Sequence, residues 1–446
     1  MHRSTDRMNK IYRAAGRWTI GIATVTGTMA LAADSDSKPL TLALGLKGFY
    51  DDNIFTRPSG PDKVDSFGLQ VVPGITYKVS NGATTVSVGY TLDAKWYERR
   101  SRDSVDSTGA VAQKADPWDY AHYIKASIKH KFSDTISIQA DDSFAITREP
   151  QEFLSGQVAR SKGDAIINFA SLKGEVGLTD SIGLAVAYRN NLFDYSDENY
   201  KPLLNRMENI PSVDLRYRIN PNLFGIIGYR YSDVAYDKHE ILPITGSSTV
   251  VYSDARNRSS HFVYGGADWQ ASPVLSFAVR AGGEFTEYSN LDKYHLQGNK
   301  SDTSPFADVS AKWQFAKDSY LNGGLRHQLN ATDALYPSDP VGASASSIVL
   351  SQESTLLYAV LAHNITPALR VSVNGQFQDS VFNGGTYDGK SEQFYGAGLS
   401  LSYALNTYLS AEASYFYDKL ATASDPALSG RAYARNRVFL GIRASY

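Results

Sequence analysis

The feature that most constrains this chain is an alternation that runs almost without pause from residue 41 to residue 446. In DSFGLQVVPGITYKVS, Phe67, Leu69, Val71, Pro73, Ile75, Tyr77 and Val79 fall on one face. Ser66, Gly68, Gln70, Gly74, Thr76 and Lys78 fall on the other, with Val72 the one apolar exception. A period of two is the pattern of a β-strand with a single apolar face. The dipeptide Asn81-Gly82 follows, a strong hairpin signal. TTVSVGYTLDAKWYE then repeats the pattern with Val86, Val88, Tyr90, Leu92, Ala94 and Trp96 on one face.

The same reading predicts strands at 41–52, 64–79, 83–98, 118–132, 135–148, 163–178, 181–194, 206–219 and 222–234. It continues at 256–270, 273–288, 303–315, 319–331, 351–365, 368–382, 391–405, 407–420 and 433–446, which makes eighteen, with sixteen as the alternative count. Each is long enough to cross a bilayer at the usual tilt, which takes about 9–11 residues. The connections alternate between turns such as Ser133-Asp134, Thr179-Asp180, Thr366-Pro367 and Asn406-Thr407 and long polar loops near 99–117, 149–162, 235–255 and 332–350. Soluble sandwiches have shorter strands and no reason to gather their long loops at one end. The expected fold is therefore all-β, a closed transmembrane up-and-down antiparallel barrel with short periplasmic turns and long extracellular loops. Closure is required because an unpaired strand edge cannot face lipid.

Composition agrees. The 29 Tyr, 19 Phe and 35 Gly against 4 Met favour strand over helix, and no apolar run after residue 40 is long enough for a membrane helix. Cysteine is absent, so disulfides and thiolate metal sites are excluded. Arg3, Arg7, Lys10, Arg13 and Arg17 precede the apolar stretch TIGIATVTGTMALAA, with Ala30 and Ala32 as a small-x-small site. This predicts a Sec-type signal peptide over residues 1–32, a short periplasmic segment at 33–40 and a barrel over 41–446. Removing residues 1–32 takes five of the 44 basic and one of the 46 acidic residues. The remaining 39 against 45 give a formal charge of −6, which leaves no bulk basicity for nucleic acid. The expected surroundings are outer-membrane lipid and lipopolysaccharide, with the barrel-assembly machinery as a partner. Oligomeric state is not legible.

Aromatics gathered near strand ends, among them Trp96, Tyr97, Trp118, Tyr120, Tyr229, Tyr231, Trp313, Phe315, Tyr415 and Tyr417, predict interfacial girdles. The opposite, polar faces predict a lumen lined by Lys125, Lys129, Arg189, Arg216, Arg230, Arg280, Arg326 and Arg370, with Asp214 and Glu284 among the acids. Bases modestly outnumber acids there, which implies a preference for anionic or polar solutes. The competing reading is that Arg–Asp pairs such as Asp214 and Arg216 brace the wall. The loop at 235–255, with ILPITGSSTVVY, is apolar enough to fold inward as a constriction, and a plain surface loop fits equally well.

Catalytic motifs are missing: there is no Gly-x-Ser-x-Gly elbow, His-Glu-x-x-His, Walker or dinucleotide sequence. His327 and Asn330 sit near an extracellular strand end, where an outer-membrane phospholipase or protease would keep its site, yet no nucleophile is readable beside them. No enzyme, cofactor or metal is expected.

GLKGFYDDNIFTRP, residues 45–58, carries a family resemblance through Tyr50, Asp51, Asp52 and Asn53. It resembles the β-barrel porin family whose members are described as outer-membrane β-barrel proteins and are frequently associated with exopolysaccharide or exosortase loci. The resemblance implies a channel for polar solutes or for polysaccharide export, or else a non-conducting barrel that presents its loops. Read from the residues alone, Asp51, Asp52 and Asn53 suit a strand exit, capping freed backbone N–H groups. The closing strand NRVFLGIRASY should place Val438, Leu440, Ile442 and Ala444 towards lipid and Arg443 in the lumen. Tyr446 should lie at the periplasmic interface, resembling the terminal aromatic signal of outer-membrane barrels.

Overall fold

The computed structural model describes residues 39–61, 63–100, 116–148, 151–153, 157–159, 164–197, 200–242, 250–296, 299–334, 348–422 and 426–446. The expected signal peptide lies outside them. In chain order the strands are β1 (Leu40–Asp51), β2 (Ser66–Ser80), β3 (Thr84–Tyr97), β4 (Trp118–Lys131), β5 (Ile136–Thr147), β6 (Gln151–Phe153), β7 (Gln157–Ala159), β8 (Ala165–Gly177), β9 (Ile182–Tyr195) and β10 (Arg206–Asn220). The second half holds β11 (Leu223–Tyr236), β12 (Arg258–Ser272), β13 (Leu275–Tyr288), β14 (Ser301–Ala316), β15 (Ser319–Asn330), β16 (Ser351–Asn364), β17 (Leu369–Asn383), β18 (Ser391–Ala404), β19 (Leu409–Thr422) and β20 (Tyr433–Ser445).

Eighteen of these form one antiparallel sheet in which each strand pairs with its chain neighbours. β5 pairs directly with β8, so β6 and β7 form a separate two-stranded hairpin in the intervening loop. β1 closes the wall against β20 from Ala43↔Ser445 to Asp51↔Arg437. Strand count and placement follow the sequence reading, including β8 and β12. Leu40 opens β1, where it pairs with Tyr77, and residues 33–38 of the expected periplasmic segment lie outside the described residues.

Local chemistry explains the short turns. The Thr179 hydroxyl accepts from the Ser181 and Ile182 N–H groups, Thr366 does the same for Ala368 and Leu369, and the Asn406 carboxamide oxygen takes Tyr408 and Leu409. Such side-chain caps fold the chain back without a long loop. At Asn81-Gly82 the backbone turns through Gly82 at φ 85°, a region that glycine enters without strain.

The outer wall is apolar. Leu42, Leu44, Leu46, Ile227, Val438, Leu440 and Ile442 are exposed, Leu440 at 62%. A belt of this kind facing water would be ruinous, and against lipid tails it is the favourable surface. The belt has a polar upper margin. Five outward tyrosines each hydrogen-bond a polar side chain: Tyr90 with His122 at 2.9 Å, Tyr229 with His261 at 2.7 Å, Tyr188 with Asn209 at 2.7 Å, Tyr415 with Asn436 at 2.7 Å and Tyr395 with Gln393 at 2.8 Å. Amphipathic rings of this type favour the headgroup level. Tyr97 departs from the girdle expectation. It lies on the inner face, 1% exposed, packed edge-on against Phe49, because its parity in β3 is opposite to that of Trp96.

Candidate functional site

The inner half of the lumen, near the short turns, is open, and the outer half is filled. Lys125 and Lys78 are exposed to the lumen, whereas Asp51, Tyr97, Tyr195, Glu284, Phe382 and Phe394 nearer the long loops are almost inaccessible. The filling is built by the long loops. Leu203 and Leu204 of the short helix α1 (Lys201–Leu204), with Leu242, Val251, Ala255, Leu291, Tyr294, Ile348 and Leu350, form one apolar cluster on the inward side chains of Ala165, Ile167, Phe193, Tyr195 and Tyr288. The described part of the 235–255 loop therefore folds inward, and residues 243–249 of it lie outside the described residues. A second cluster joins Ala334, Val349, Phe382, Tyr387 and Leu428.

Two arginines fasten this cap. Arg256 is fully inaccessible and donates to the Leu203 carbonyl at 3.0 Å and to the Thr332 carbonyl at 2.7 Å. Arg431 donates to Asp333 at 2.6 Å and to Glu392 at 2.9 Å. Burial works against the Arg431 charge, but Asp333 and Glu392 more than offset it, so its pKa lies above the ordinary arginine value. Thr332 and Asp333 are thus gripped from two sides of the mouth. No sequence signal marks these arginines, since each pairs with a loop whose position the fold alone decides.

All ten expected lumen residues lie at inward positions of their strands. On one wall they interlock with further residues. Lys173 meets Glu175 at 2.8 Å, Arg216 bridges Glu175 at 3.1 Å and Asp268 at 2.8 Å, and Arg280 joins Asp268 at 2.9 Å and Asp214 at 3.9 Å. The Tyr264 hydroxyl donates to Asp214 at 2.6 Å. The bracing expectation holds in kind, with a change of partners: Asp214 and Arg216 pair across strands rather than with each other. Residues i and i+2 share a face, yet the long side chains find their partners two and three strands away, Glu175 of β8 and Asp268 of β12 for Arg216, and Arg280 of β13 for Asp214. Arg326 pairs with Asp308 at 3.1 Å, and Glu284 accepts the Leu329 N–H at 2.9 Å. Arg370 lies near the short-turn end, 3.4 Å from the Asn364 carboxamide oxygen. Lys129 lies near the same end and lines a hollow with Lys131, Glu175, Arg216, Arg218 and Phe224.

The remaining lumen cations differ. Lys125, Arg189 and Arg230 make no hydrogen bond or ion pair with any described residue. Arg230 instead lies over the Phe262 ring at 3.9 Å and the Phe306 ring at 4.5 Å.

The Tyr50–Asn53 stretch latches the seam of the barrel. Asp51 accepts Arg435 Nε on both oxygens at 3.0 Å, and the two side chains are 1% and 2% exposed. Asp52 takes the Asn436 backbone N–H and carboxamide, both at 2.7 Å, and the Asn53 carboxamide donates to the Ala434 carbonyl at 3.0 Å. Asp51 also caps the Asn53 N–H at 3.0 Å, the strand-exit role read from sequence. Tyr50 donates to Asp65 at 3.2 Å. At the opposite end of the seam Tyr446 exchanges two backbone bonds of 2.9 Å with Leu42 and stacks on Tyr408.

His327 sits on the outer wall, bonded to Thr355 at 2.8 Å and Glu353 at 2.7 Å. The backbone of His327, Thr355 and Glu353 takes part in the β15–β16 ladder. The trio satisfies its own polar atoms at the upper margin of the belt.

Residues 304–446 match the model of the family described as "Putative beta-barrel porin 2", so the resemblance carried by the first strand is borne out in the last third of the chain. The seam latch ties the two regions together. No curated protein matches the chain in sequence. Among solved structures the chain is similar to a BenF-like porin from Pseudomonas fluorescens Pf-5, at 11% identity and TM-score 0.41, over 92% of this chain and 99% of that one. It is similar to the outer membrane protein opdK from Pseudomonas aeruginosa at 9% identity and TM-score 0.43, over 91% and 99%. The FrpB iron transporter from Neisseria meningitidis aligns at 10% identity and TM-score 0.44, over 92% and 82%.

Proposed function

We propose that this chain is a porin-like channel of the bacterial outer membrane, exported by its Sec-type signal peptide, that passes polar and anionic solutes. The observation that carries this reading is the division of labour in the lumen. One set of charges neutralises itself along the wall, and the side chains of Lys125, Arg189 and Arg230 are left without a hydrogen bond or ion pair among the described residues, Arg230 resting on two phenyl rings. Cations so placed raise the local concentration of anions and admit them preferentially. The cap over the mouth favours a narrow path over a wide diffusion pore. Export of an acidic polysaccharide fits the same charge pattern, and the non-conducting alternative draws on the cap alone.

Reconstitution in planar bilayers with a salt gradient tests the reading. Discrete current steps with a reversal potential on the anion side support it. Folded protein that carries no current, or a cation-side potential, sinks it.

A further inference from the structure

We propose that Arg189 and Arg230 form a carboxylate-binding site on the lumen wall across β9, β10 and β11. The inference rests on the channel reading above and names the solute chemistry that the lumen holds.

Arg189 pairs in the ladder with Ile210 of β10, while Arg230 pairs with Ser212. The two backbones are thus two strand spacings apart, roughly 10 Å, and the two charges lie within electrostatic range of each other, with Arg230 leaning towards Phe262 of β12 and Phe306 of β14. Between them on β10 lie Ile210, opposite Arg189, and the small Ser212, opposite Arg230. Arg230 is held in place: its guanidinium lies on Phe262 and Phe306, which meet edge-on at 5.3 Å between centroids. Its Nε and Nη2 are covered and without partners. Nη1 is not among the covered atoms and is left as the contact to the lumen.

Two of the neighbouring acids are neutralised by other arginines, and the third, Glu284, lies within electrostatic range of Arg230. Glu208 takes Arg206 at 2.9 Å and the Asn191 carboxamide at 2.8 Å. Asp308 takes Arg326, and Glu284 takes the Leu329 N–H. Arg189 lies within electrostatic range of Arg230 and Arg326 on one side of the ledger and of Asp308 and Glu208 on the other. The unpaired excess is positive. The Arg189 guanidinium and the one open nitrogen of Arg230, Nη1, together supply charged N–H donors for the two oxygens of a carboxylate. The phenyl rim beside Arg230 disfavours a dianionic phosphate, which sheds more water on entry.

Calorimetric titration of the folded, detergent-solubilised full barrel tests the site without requiring current. The probes are glucuronate, its neutral counterpart glucose, inorganic phosphate, and trigalacturonate. Glucuronate is expected to bind and glucose not to. The double variant R189Q/R230Q should weaken glucuronate at least tenfold, R230K severalfold, and K317Q, on an exposed short turn, not at all. Heat-modifiable gel mobility certifies folding of each variant, and R189Q alone serves if the double variant fails. Tighter binding of trigalacturonate than of glucuronate identifies a polymer as the source of the carboxylate; equal binding identifies a free acid. Equal binding of glucose and glucuronate, unchanged affinity in R189Q/R230Q, or preference for phosphate overturns the proposal. Binding without current refutes the channel and leaves the site, and current without binding does the reverse.

Discussion

Replacing Asp51 by alanine should loosen the barrel at its seam. Asp51 and Arg435 are an almost fully buried ion pair joining the first and last strands of the wall. Removing one partner of such a pair costs about 3–5 kcal/mol, because the other charge is left uncompensated. The Asn53 N–H, which Asp51 also accepts, adds about 1 kcal/mol or more if it stays dry. The expected loss for D51A is therefore about 4–6 kcal/mol. Removing both charges is a different perturbation: D51A/R435M buries no orphan ion and should recover to within about 2 kcal/mol of the parent. Urea unfolding in lipid vesicles, followed by tryptophan fluorescence, measures all three. A D51A loss below about 1 kcal/mol would show that the pair is solvated or replaced by another contact. A double variant as unstable as D51A would show that the geometry, and not the buried charge, carries the energy. Either result refutes the latch as argued.

Other outcomes follow from the same geometry. R431A releases Asp333 and Glu392 together and should raise single-channel conductance severalfold in a barrel that still folds; an unchanged conductance would show that the cap is held without it. R256L deprives the Leu203 and Thr332 carbonyls of their donor and should expose the outer loops to trypsin sooner than in the parent. G441V places a Cβ 2.1 Å from the Leu46 carbonyl oxygen, so the seam must part there, and folded yield in a refolding assay should collapse. Deleting Tyr446 removes two backbone bonds to Leu42 and the stack on Tyr408, and should impair assembly in cells more than deleting residues 33–38.

What the sequence determined by itself is the wall. A strand's face is set by a period of two, and the chain prints that period in every crossing, so strand number, inward and outward sides and the turn end were all legible. Turn chemistry is local too: Thr179, Thr366 and Asn406 cap their own neighbours within three residues. Even Arg189 and Arg230 could be assigned to the lumen from parity alone. Only the tertiary structure decided which of the inward charges are spent. Arg216 finds Glu175 and Asp268 on other strands, 41 and 52 residues away, and Arg230 finds two phenyl rings. The same holds for the cap, where Arg256 reaches Thr332 across 76 residues, and for Asp51, whose partner lies 384 residues on. Periodicity fixes the direction in which a side chain points. Its partner depends on barrel closure and on which loops meet over the mouth, and those are properties of the assembled wall.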